Sequence, residues 1–85
     1  MARILIVDDD PISVRVLENM VVEEGHAAAT AENGVQALNL YRESPFDVVI
    51  TDIFMPEKEG LELVRELRAM APDARVIAVS GGSAS

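Results

Sequence analysis

The chain of 85 residues contains no cysteine, only one lysine and no long apolar run. Without cysteine, neither a disulfide framework nor thiolate chemistry is available. No apolar stretch approaches the roughly 20 residues that a membrane-spanning helix requires, so we expect no membrane contact and a location in the cytoplasm. Internal repeats, linkers and low-complexity tracts are also lacking, so the sequence predicts one domain at most.

Basic residues are scarce throughout the sequence. Seven lysine and arginine residues stand against fifteen aspartate and glutamate residues, which gives a formal net charge of −8. Nucleic-acid surfaces need clustered lysine and arginine to contact phosphates, so we expect no nucleic-acid contact by this segment. The composition, with 49% hydrophobic and 26% charged residues, is that of a globular chain and not of a disordered one.

Short runs rich in β-branched residues alternate with segments of helical periodicity. The predicted strands are residues 3–7, 26–30, 46–51 and 75–79. Asp10 before Pro11 is typical of a helix N-cap, Asn33-Gly34 predicts a second helix, and Gly60 is interpreted as part of the loop before a third. Apolar residues at helical spacing assign the three helices: Ile12, Val16, Leu17, Met20 and Val21; Val35, Leu38 and Tyr41; Leu61, Val64, Leu67 and Met70. This alternation predicts right-handed βαβ crossovers and a parallel sheet with helices on both faces.

Acidic residues stand where two of these strands end. Asp8 and Asp9 follow the first strand, Asp52 closes the third apolar run, and Ser80 follows the fourth. The carboxyl ends of parallel strands share one edge of the sheet, which is where open α/β sheets bind ligands. Two carboxylates roughly 5 Å apart repel by about 3 kcal/mol at an effective dielectric of about 20, so such a cluster calls for a cation.

The chemistry of this edge predicts a divalent metal and a phosphoryl group. Mg²⁺ is a hard cation that takes one or two carboxylates together with a phosphate oxygen. The alternative is that the aspartates of the first acidic run merely end a strand and solvate the following turn. The second acidic position, on a second strand, favours the metal site over that alternative.

Four motifs resemble the receiver domain of bacterial response regulators. They are Ile-Val-Asp-Asp-Asp at 6–10, Ala-Glu-Asn-Gly at 31–34, Val-Val-Ile-Thr-Asp-Ile-Phe-Met-Pro at 48–56 with Gly60, and Val-Ile-Ala-Val-Ser-Gly at 76–81. The resemblance covers the whole chain. It implies a flavodoxin-like three-layer α/β sandwich with strand order 2-1-3-4-5, of which 2-1-3-4 would be present. Family members continue with a fourth helix, a fifth strand and a fifth helix, so residues 1–85 are expected to be an incomplete receiver domain.

The resemblance also implies a role for each acidic position. Asp52 would be the phosphoacceptor, taking a phosphoryl group from a sensor histidine kinase or a phosphotransfer protein. Asp9 would bind Mg²⁺ directly and Asp8 mainly through a metal-bound water, and Asp52 and the backbone carbonyl of Phe54 would complete the protein ligands. Such a domain is not an enzyme acting on a separate substrate; it assists its own phosphorylation and dephosphorylation.

The remaining implied positions surround the phosphoryl group. Ser80 would donate a hydrogen bond to a phosphoryl oxygen, Gly81 would leave room for it, and Pro56 would shape the neighbouring loop. The lysine that ends the fifth strand in the family has no counterpart in the residues given. Lys58 cannot take that role by motif.

Two other functions stay open on the sequence. The chain could be a receiver-like interaction module or fragment without phosphotransfer. A Mg²⁺-dependent phosphatase resembling haloacid dehalogenases would instead use Asp8 as nucleophile and Asp10 as a second acid. We further expect residues 75–79 to form an exposed sheet edge, which a second copy of the chain could cover to give a homodimer.

Overall fold

Strands and helices alternate in the order that the sequence predicts. The computed structural model describes residues 1–52 and 59–79. Its elements are β1 (Arg3–Val7), α1 (Pro11–Glu23), β2 (Ala27–Ala31), α2 (Gly34–Glu43), β3 (Val48–Asp52), α3 (Glu59–Met70) and β4 (Arg75–Val79). In the part of the chain that the structure describes, no helix has the length and apolar character needed to cross a membrane.

The four strands form one parallel sheet in the order β2-β1-β3-β4, which confirms the predicted order. In its register, Val7 lies opposite both Ala31 and Thr51, and Asp52 lies opposite Val79. The carboxyl ends of β1, β2 and β3 therefore meet at the same edge of the sheet. This is the edge at which the acidic residues were expected.

Helices cover both faces of the sheet, as predicted. One face carries the larger core cluster, in which side chains of α2 and α3 pack against Leu5, Val7 and Val49. The other face carries a smaller cluster, in which Val21 of α1 packs with Ile4 and Ile6. Because successive strand residues point to opposite faces, β1 supplies buried side chains to both clusters. The result is a three-layer α/β arrangement.

Side-chain caps define where the first two helices begin. Asp10 accepts a hydrogen bond from the backbone N–H of Ile12 at 3.1 Å, and Pro11 occupies the first helical turn, which confirms the predicted N-cap. Asn33 accepts from the N–H of Gln36 at 2.9 Å at the start of α2. Each cap satisfies a helix N–H group that has no partner within the helix.

Arg3 connects the start of β1 to the segment before β3 through hydrogen bonds and a cation–π contact. Its guanidinium donates to the carbonyl of Pro45 at 2.6 Å and lies 4.6 Å from the ring centroid of Phe46. The backbone N–H of Arg3 donates to a carboxylate oxygen of Asp47 at 2.8 Å. In return, the N–H of Asp47 donates to the carbonyl of Arg3 at 2.8 Å. These bonds hold the amino ends of the two central strands together.

Several predicted boundaries were wrong by one or two residues. β2 runs one residue later than predicted, and β3 begins at Val48 because Phe46 and Asp47 are used in packing and in the contacts with Arg3. Gly60 was interpreted as a loop residue, but α3 already begins at Glu59. Propensity alone did not locate these ends, since tertiary contacts decided them.

The predicted apolar faces of the helices were only partly right. Among the described residues, five apolar residues assigned to helical stripes are exposed: Ile12 (74%), Val16 (51%), Met20 (57%), Val35 (64%) and Met70 (39%). Leu63 was missed, yet only 1% of it is exposed and it packs in the larger cluster. The helical period was therefore correct, whereas the face that turns inward was not always the most apolar one.

Candidate functional site

Three carboxylates meet at the carboxyl edge of the sheet. Asp8, Asp9 and Asp52 each place a carboxylate oxygen within 4.8 Å of the others, a group that could hold a metal ion. Asp8 and Asp52 are buried, at 3% and 8% exposure, whereas Asp9 is exposed. We call these three residues the acidic cluster.

The parallel register of β1 and β3 brings the acidic cluster together. Val7 lies opposite Thr51, so the next residues, Asp8 and Asp52, follow side by side. The backbone N–H of Asp8 donates to the carbonyl of Ala31 at 3.1 Å, which extends the pairing of β1 with β2 by one residue. Adjacent carboxylates are thus a consequence of strand pairing.

A tight turn after β1 separates Asp10 from the acidic cluster. The N–H of Asp10 donates to Oδ1 of Asp8 at 2.9 Å, which fixes the Asp8 side chain. The carboxylate of Asp10 itself accepts from the N–H of Ile12 and, at 2.9 Å, from the hydroxyl of Ser13. Asp10 therefore caps α1, and of the three consecutive aspartates only Asp8 and Asp9 belong to the acidic cluster.

The environment of Asp8 disfavours its charged form. Burial raises the pKa of this carboxyl above its ordinary value of 3.8, and the charges of Asp52, Asp9 and Asp10 raise it further. The hydrogen bond from the N–H of Asp10 acts in the opposite direction but does not outweigh the burial. A cation at the acidic cluster would reverse this preference, because it favours the ionised carboxylate.

The raised pKa of Asp8 predicts that metal-free protein loses stability as the pH rises. Well below pH 3.8, Asp8 is protonated in both the folded and the unfolded chain, and its contribution to the free energy of unfolding is fully present. That contribution is lost as the pH rises through the higher folded pKa. In chelator at neutral pH, Asp8→Asn should therefore raise the thermal midpoint, by about 4–8 °C for each kcal/mol gained.

The control for this prediction is Asp73→Asn, which removes one charge from an exposed position. Thermal melts followed by circular dichroism at about pH 3 and about pH 7 measure the difference between the two variants. The gain for Asp8→Asn should appear only at the higher pH. An equal gain for Asp73→Asn would show that relief of the overall negative charge, and not the environment of Asp8, is responsible.

A cavity of about 500 Å³ lies beside the acidic cluster, between α1 and the end of β2. Besides Asp8 and Asp9, its polar lining includes Arg15, Thr30 and Gln36. None of these three residues was predicted from the sequence to belong to the site. Thr30 could have been found from its place at the carboxyl end of a strand, whereas Arg15 and Gln36 reach the cavity only through helix packing.

Several residues predicted for the site belong to segments that the structure does not describe. Phe54, Pro56, Lys58, Ser80 and Gly81 lie outside the described residues, so their roles stay predictions. The roles of the acidic cluster residues as phosphoacceptor and metal ligands are likewise predictions, although the structure brings the three side chains together.

Comparison with known proteins identifies the family. A family model described as the response regulator receiver domain matches residues 4–85. The chain belongs to the response regulator receiver domain family. This receiver domain has the flavodoxin-like fold expected from the resemblance, and its described residues form a sheet of order 2-1-3-4 and three helices.

Curated relatives include bacterial and plant proteins. The response regulator receiver protein CpdR of Brucella abortus is 34% identical over 84 residues, which cover 99% of this receiver domain and 70% of CpdR. The two-component response regulator ARR22 of Arabidopsis thaliana is 35% identical, with 94% of this chain and 58% of that protein covered. The chain thus spans about six- to seven-tenths of the length of these relatives.

Solved structures agree with this assignment. The response regulator TrrA of Thermotoga maritima, in complex with Mg²⁺-BeF, is 44% identical with a TM-score of 0.86, covering 92% of this chain and 68% of that one. In a second structure, TrrA is in complex with the histidine kinase ThkA; there the identity is 42% and the TM-score 0.88, covering 98% of this chain and 72% of that one. This receiver domain is similar to both.

Proposed function

We propose that this receiver domain accepts a phosphoryl group on Asp52 from a sensor histidine kinase or a phosphotransfer protein, with Mg²⁺ as its cofactor. The observation that carries the proposal is the acidic cluster, whose three carboxylate oxygens lie within 4.8 Å of one another at the carboxyl edge of the sheet. Hard oxygen donors of this kind suit Mg²⁺, which retains several waters beside one or two carboxylates. The donor set therefore fits the metal.

The residues of the acidic cluster would have different roles in the reaction. A carboxylate oxygen of Asp52 attacks the phosphorus, an O–P bond forms, and the N–P bond to the donor histidine breaks. Mg²⁺ at the site would offset the negative charge of the carboxylates and the phosphoryl oxygens. Asp9, which is exposed, and Asp8, which the N–H of Asp10 fixes in place, are suited to hold the metal.

The similarity to TrrA supports both the metal and the class of partner that we propose. That protein has been solved in complex with Mg²⁺-BeF and, separately, in complex with a histidine kinase. Its identity to this chain exceeds 40% in both comparisons, over at least 92% of this chain. The same metal and the same class of partner are therefore proposed here.

The geometry disfavours a phosphatase that uses Asp8 as nucleophile. Such an enzyme would need Asp10 to act as a second acid beside Asp8, but the carboxylate of Asp10 binds the N–H of Ile12 and the hydroxyl of Ser13. A receiver-like interaction module without phosphotransfer is the second candidate. It would have the same fold, so a chemical test is required to distinguish it.

Phosphoryl uptake from acetyl phosphate tests the proposal. We expect one phosphoryl group per chain in the presence of Mg²⁺, seen by intact mass, and none in excess chelator. The product should be an acyl phosphate that hydroxylamine removes. Circular dichroism in chelator serves as the control that the fold persists without metal. A folded chain that gains no phosphoryl group with Mg²⁺ would favour the interaction module.

A further inference from the structure

The outer edge of β2 offers backbone hydrogen-bonding groups without a neighbouring strand. In the sheet formed by the described residues, β2 is an end strand that pairs with β1 alone. It is also an end strand in the flavodoxin-like order 2-1-3-4-5, in which a further strand lies beside β4. This edge of β2 therefore does not depend on how the chain continues after β4. We call it the β2 edge.

Two residues of β2 direct their backbone groups outward. The N–H of Ala27 and the carbonyl of Ala31 form hydrogen bonds on the β1 side of the sheet, at 2.9 and 3.1 Å. Because the backbone groups of successive strand residues point to opposite sides of the strand, those of Ala28 and Thr30 lie at the β2 edge. An unpaired row of this kind is a template for a further strand.

The sequence of β2 has none of the features that usually protect a sheet edge. It reads Ala-Ala-Ala-Thr-Ala, with neither a charged residue nor proline, and its register with β1 is continuous over all five residues, so no bulge interrupts it. Thr30 is exposed, and Ala28 and Ala29 are half-buried. Side chains this small allow a second strand to approach closely.

We propose that the β2 edge pairs antiparallel with the β2 edge of a second copy of this chain, about a two-fold axis at Ala29. Ala28 of each copy then lies opposite Thr30 of the other, and the backbones of these two residues exchange N–H to carbonyl hydrogen bonds in both directions. Ala29 lies opposite its own copy. The same surface serves both copies, so the dimer is closed, as two-fold symmetry requires.

Charge complementarity selects this occupant and this register. An axis at Ala29 places His26 of each copy opposite Glu32 of the other, on the same face of the sheet. Nδ1 of His26 accepts a hydrogen bond from the N–H of Ala2 at 3.0 Å, so Nε2 carries the proton of the neutral ring and can donate to the Glu32 carboxylate. Parallel pairing, or a shift by one residue, would lose both of these pairs.

The flank of α1 beside this edge is self-complementary in the same way. Arg15 and Glu18 line the cavity together with Thr30 of β2, so they lie on the β2 side of the helix. The two-fold axis makes the two α1 helices antiparallel. Arg15 and Glu18 stand on either side of the middle of α1, so Arg15 of each copy would approach Glu18 of the other.

This dimer is independent of phosphotransfer. None of the positions paired across the axis belongs to the acidic cluster, and its test uses no phosphodonor, so failure of the dimer is distinguishable from failure of phosphoryl uptake. The dimer also differs from the one predicted at residues 75–79, because β2 and β4 lie at opposite ends of the sheet that the described residues form.

Sedimentation equilibrium over a range of concentrations tests the pairing in the 85-residue chain. We expect a species of twice the 9.2 kDa chain mass. Thr30→Pro removes an outward N–H but no bond to β1, so it should raise the dimer dissociation constant about tenfold or more. Thr30→Val retains that N–H and is the matched control, which should associate like the wild type. A strictly monomeric wild type, or equal effects of both variants, would overturn the proposal.

Charge exchange tests the register and separates loss of pairing from loss of folding. His26→Glu should raise the dissociation constant about threefold or more, because two carboxylates then lie opposite each other. Adding Glu32→Lys to the same chain should reverse this effect, since a glutamate then faces a lysine. The two positions are six residues apart along one strand, about 20 Å, so the rescue can arise only between copies.

The control for charge exchange combines His26→Glu with Glu66→Lys, which makes the same change of charge at an exposed position on α3. This chain should associate as weakly as His26→Glu alone. Circular dichroism checks that each variant is folded. Equal rescue by Glu66→Lys, or no rescue by Glu32→Lys in a folded chain, would argue against an axis at Ala29.

Cross-linking locates the axis independently. Because the sequence has no cysteine, Ala29→Cys introduces a single thiol into the chain. Ala29 and its copy would form a pair without mutual backbone hydrogen bonds, in which the Cα atoms are about 4.5 Å apart, within the range that a disulfide spans. Mild oxidation should cross-link Ala29→Cys and leave Ile77→Cys, at the central residue of β4, monomeric. The reverse result would assign the association to β4 and overturn the proposal.

A double-mutant cycle tests the contact between the two α1 helices. Arg15→Gln and Glu18→Gln should each weaken the dimer, and their combined effect on the dissociation constant should be smaller than the product of the two single effects. The same pair measured by thermal melts of dilute, monomeric protein shows any coupling within one helix. Independent effects on association would remove the α1 contact from the proposal.

Discussion

Replacement of Asp52 by asparagine is expected to abolish phosphoryl uptake from acetyl phosphate, whereas Asp47→Asn should leave it intact. Asparagine preserves the size of the side chain but lacks the anionic oxygen that attacks phosphorus. Asp47 lies just before the start of β3, at the opposite end of that strand from Asp52. Its carboxylate accepts a hydrogen bond from the N–H of Arg3, which the amide oxygen of asparagine can also accept.

Intact mass with Mg²⁺ present gives the number of phosphoryl groups, and peptide mapping gives their position. Folding of both variants is compared by thermal melts, because Asp52 is buried and its substitution could alter stability. Retained uptake in Asp52→Asn, with the phosphoryl group mapped to Asp8, would support the phosphatase-like chemistry instead. Loss of uptake in Asp47→Asn as well would indicate a general structural effect.

Leu5→Ala should remove a large share of the stability of the fold. Leu5 is fully buried at the centre of the larger core cluster, on a strand with neighbours on both sides. Truncation of a buried leucine to alanine destabilises by about 2–5 kcal/mol, against a total of about 5–15 kcal/mol for typical domains. A chain of this size has a small core, so we expect partial or complete unfolding at room temperature.

Urea unfolding followed by circular dichroism measures this loss. Val35→Ala is the control, since Val35 is 64% exposed on α2 and its truncation should change stability by about 0.5 kcal/mol or less. A loss below about 1 kcal/mol for Leu5→Ala would mean that the cavity collapses or that the site packs loosely. Either finding would contradict the close packing seen around β1.

The strands were predictable because their residues are apolar on both faces. β1 and β4 have the predicted bounds, and their β-branched runs are typical of strands buried between two layers. The proximity of the three carboxylates could also be predicted from the sequence, since parallel strands of similar length end at one edge of the sheet. Neither inference required knowledge of a distant contact.

The helix faces were less predictable, because periodicity does not show which side another element covers. Ile12, Val16 and Met20 recur four residues apart and resemble a core stripe, yet α1 turns Val21 inward and leaves these three exposed. Leu63 is buried because α3 packs against α2 and the sheet. That contact is a property of the folded chain and has no local signal.

The surroundings of the acidic cluster were unpredictable for a related reason. The hydrogen bond from the N–H of Asp8 to the carbonyl of Ala31 joins two segments that are distant in the sequence, and Asp8 is buried there. The cavity beside it is lined by residues from α1, β2 and α2. Its shape depends on how these elements pack, whereas the presence of the carboxylates depends only on where two strands end.

The strand order β2-β1-β3-β4 also determines how the sheet can grow as the chain is synthesised. β2 emerges after β1 and pairs with one of its sides; β3 then joins the free side of β1, and β4 joins the free side of β3. Every new strand adds to an existing edge, and none has to be inserted between two strands that have already paired. A nascent chain can therefore assemble this sheet in the order of translation, each addition closing a loop that contains one helix or, for β3, two.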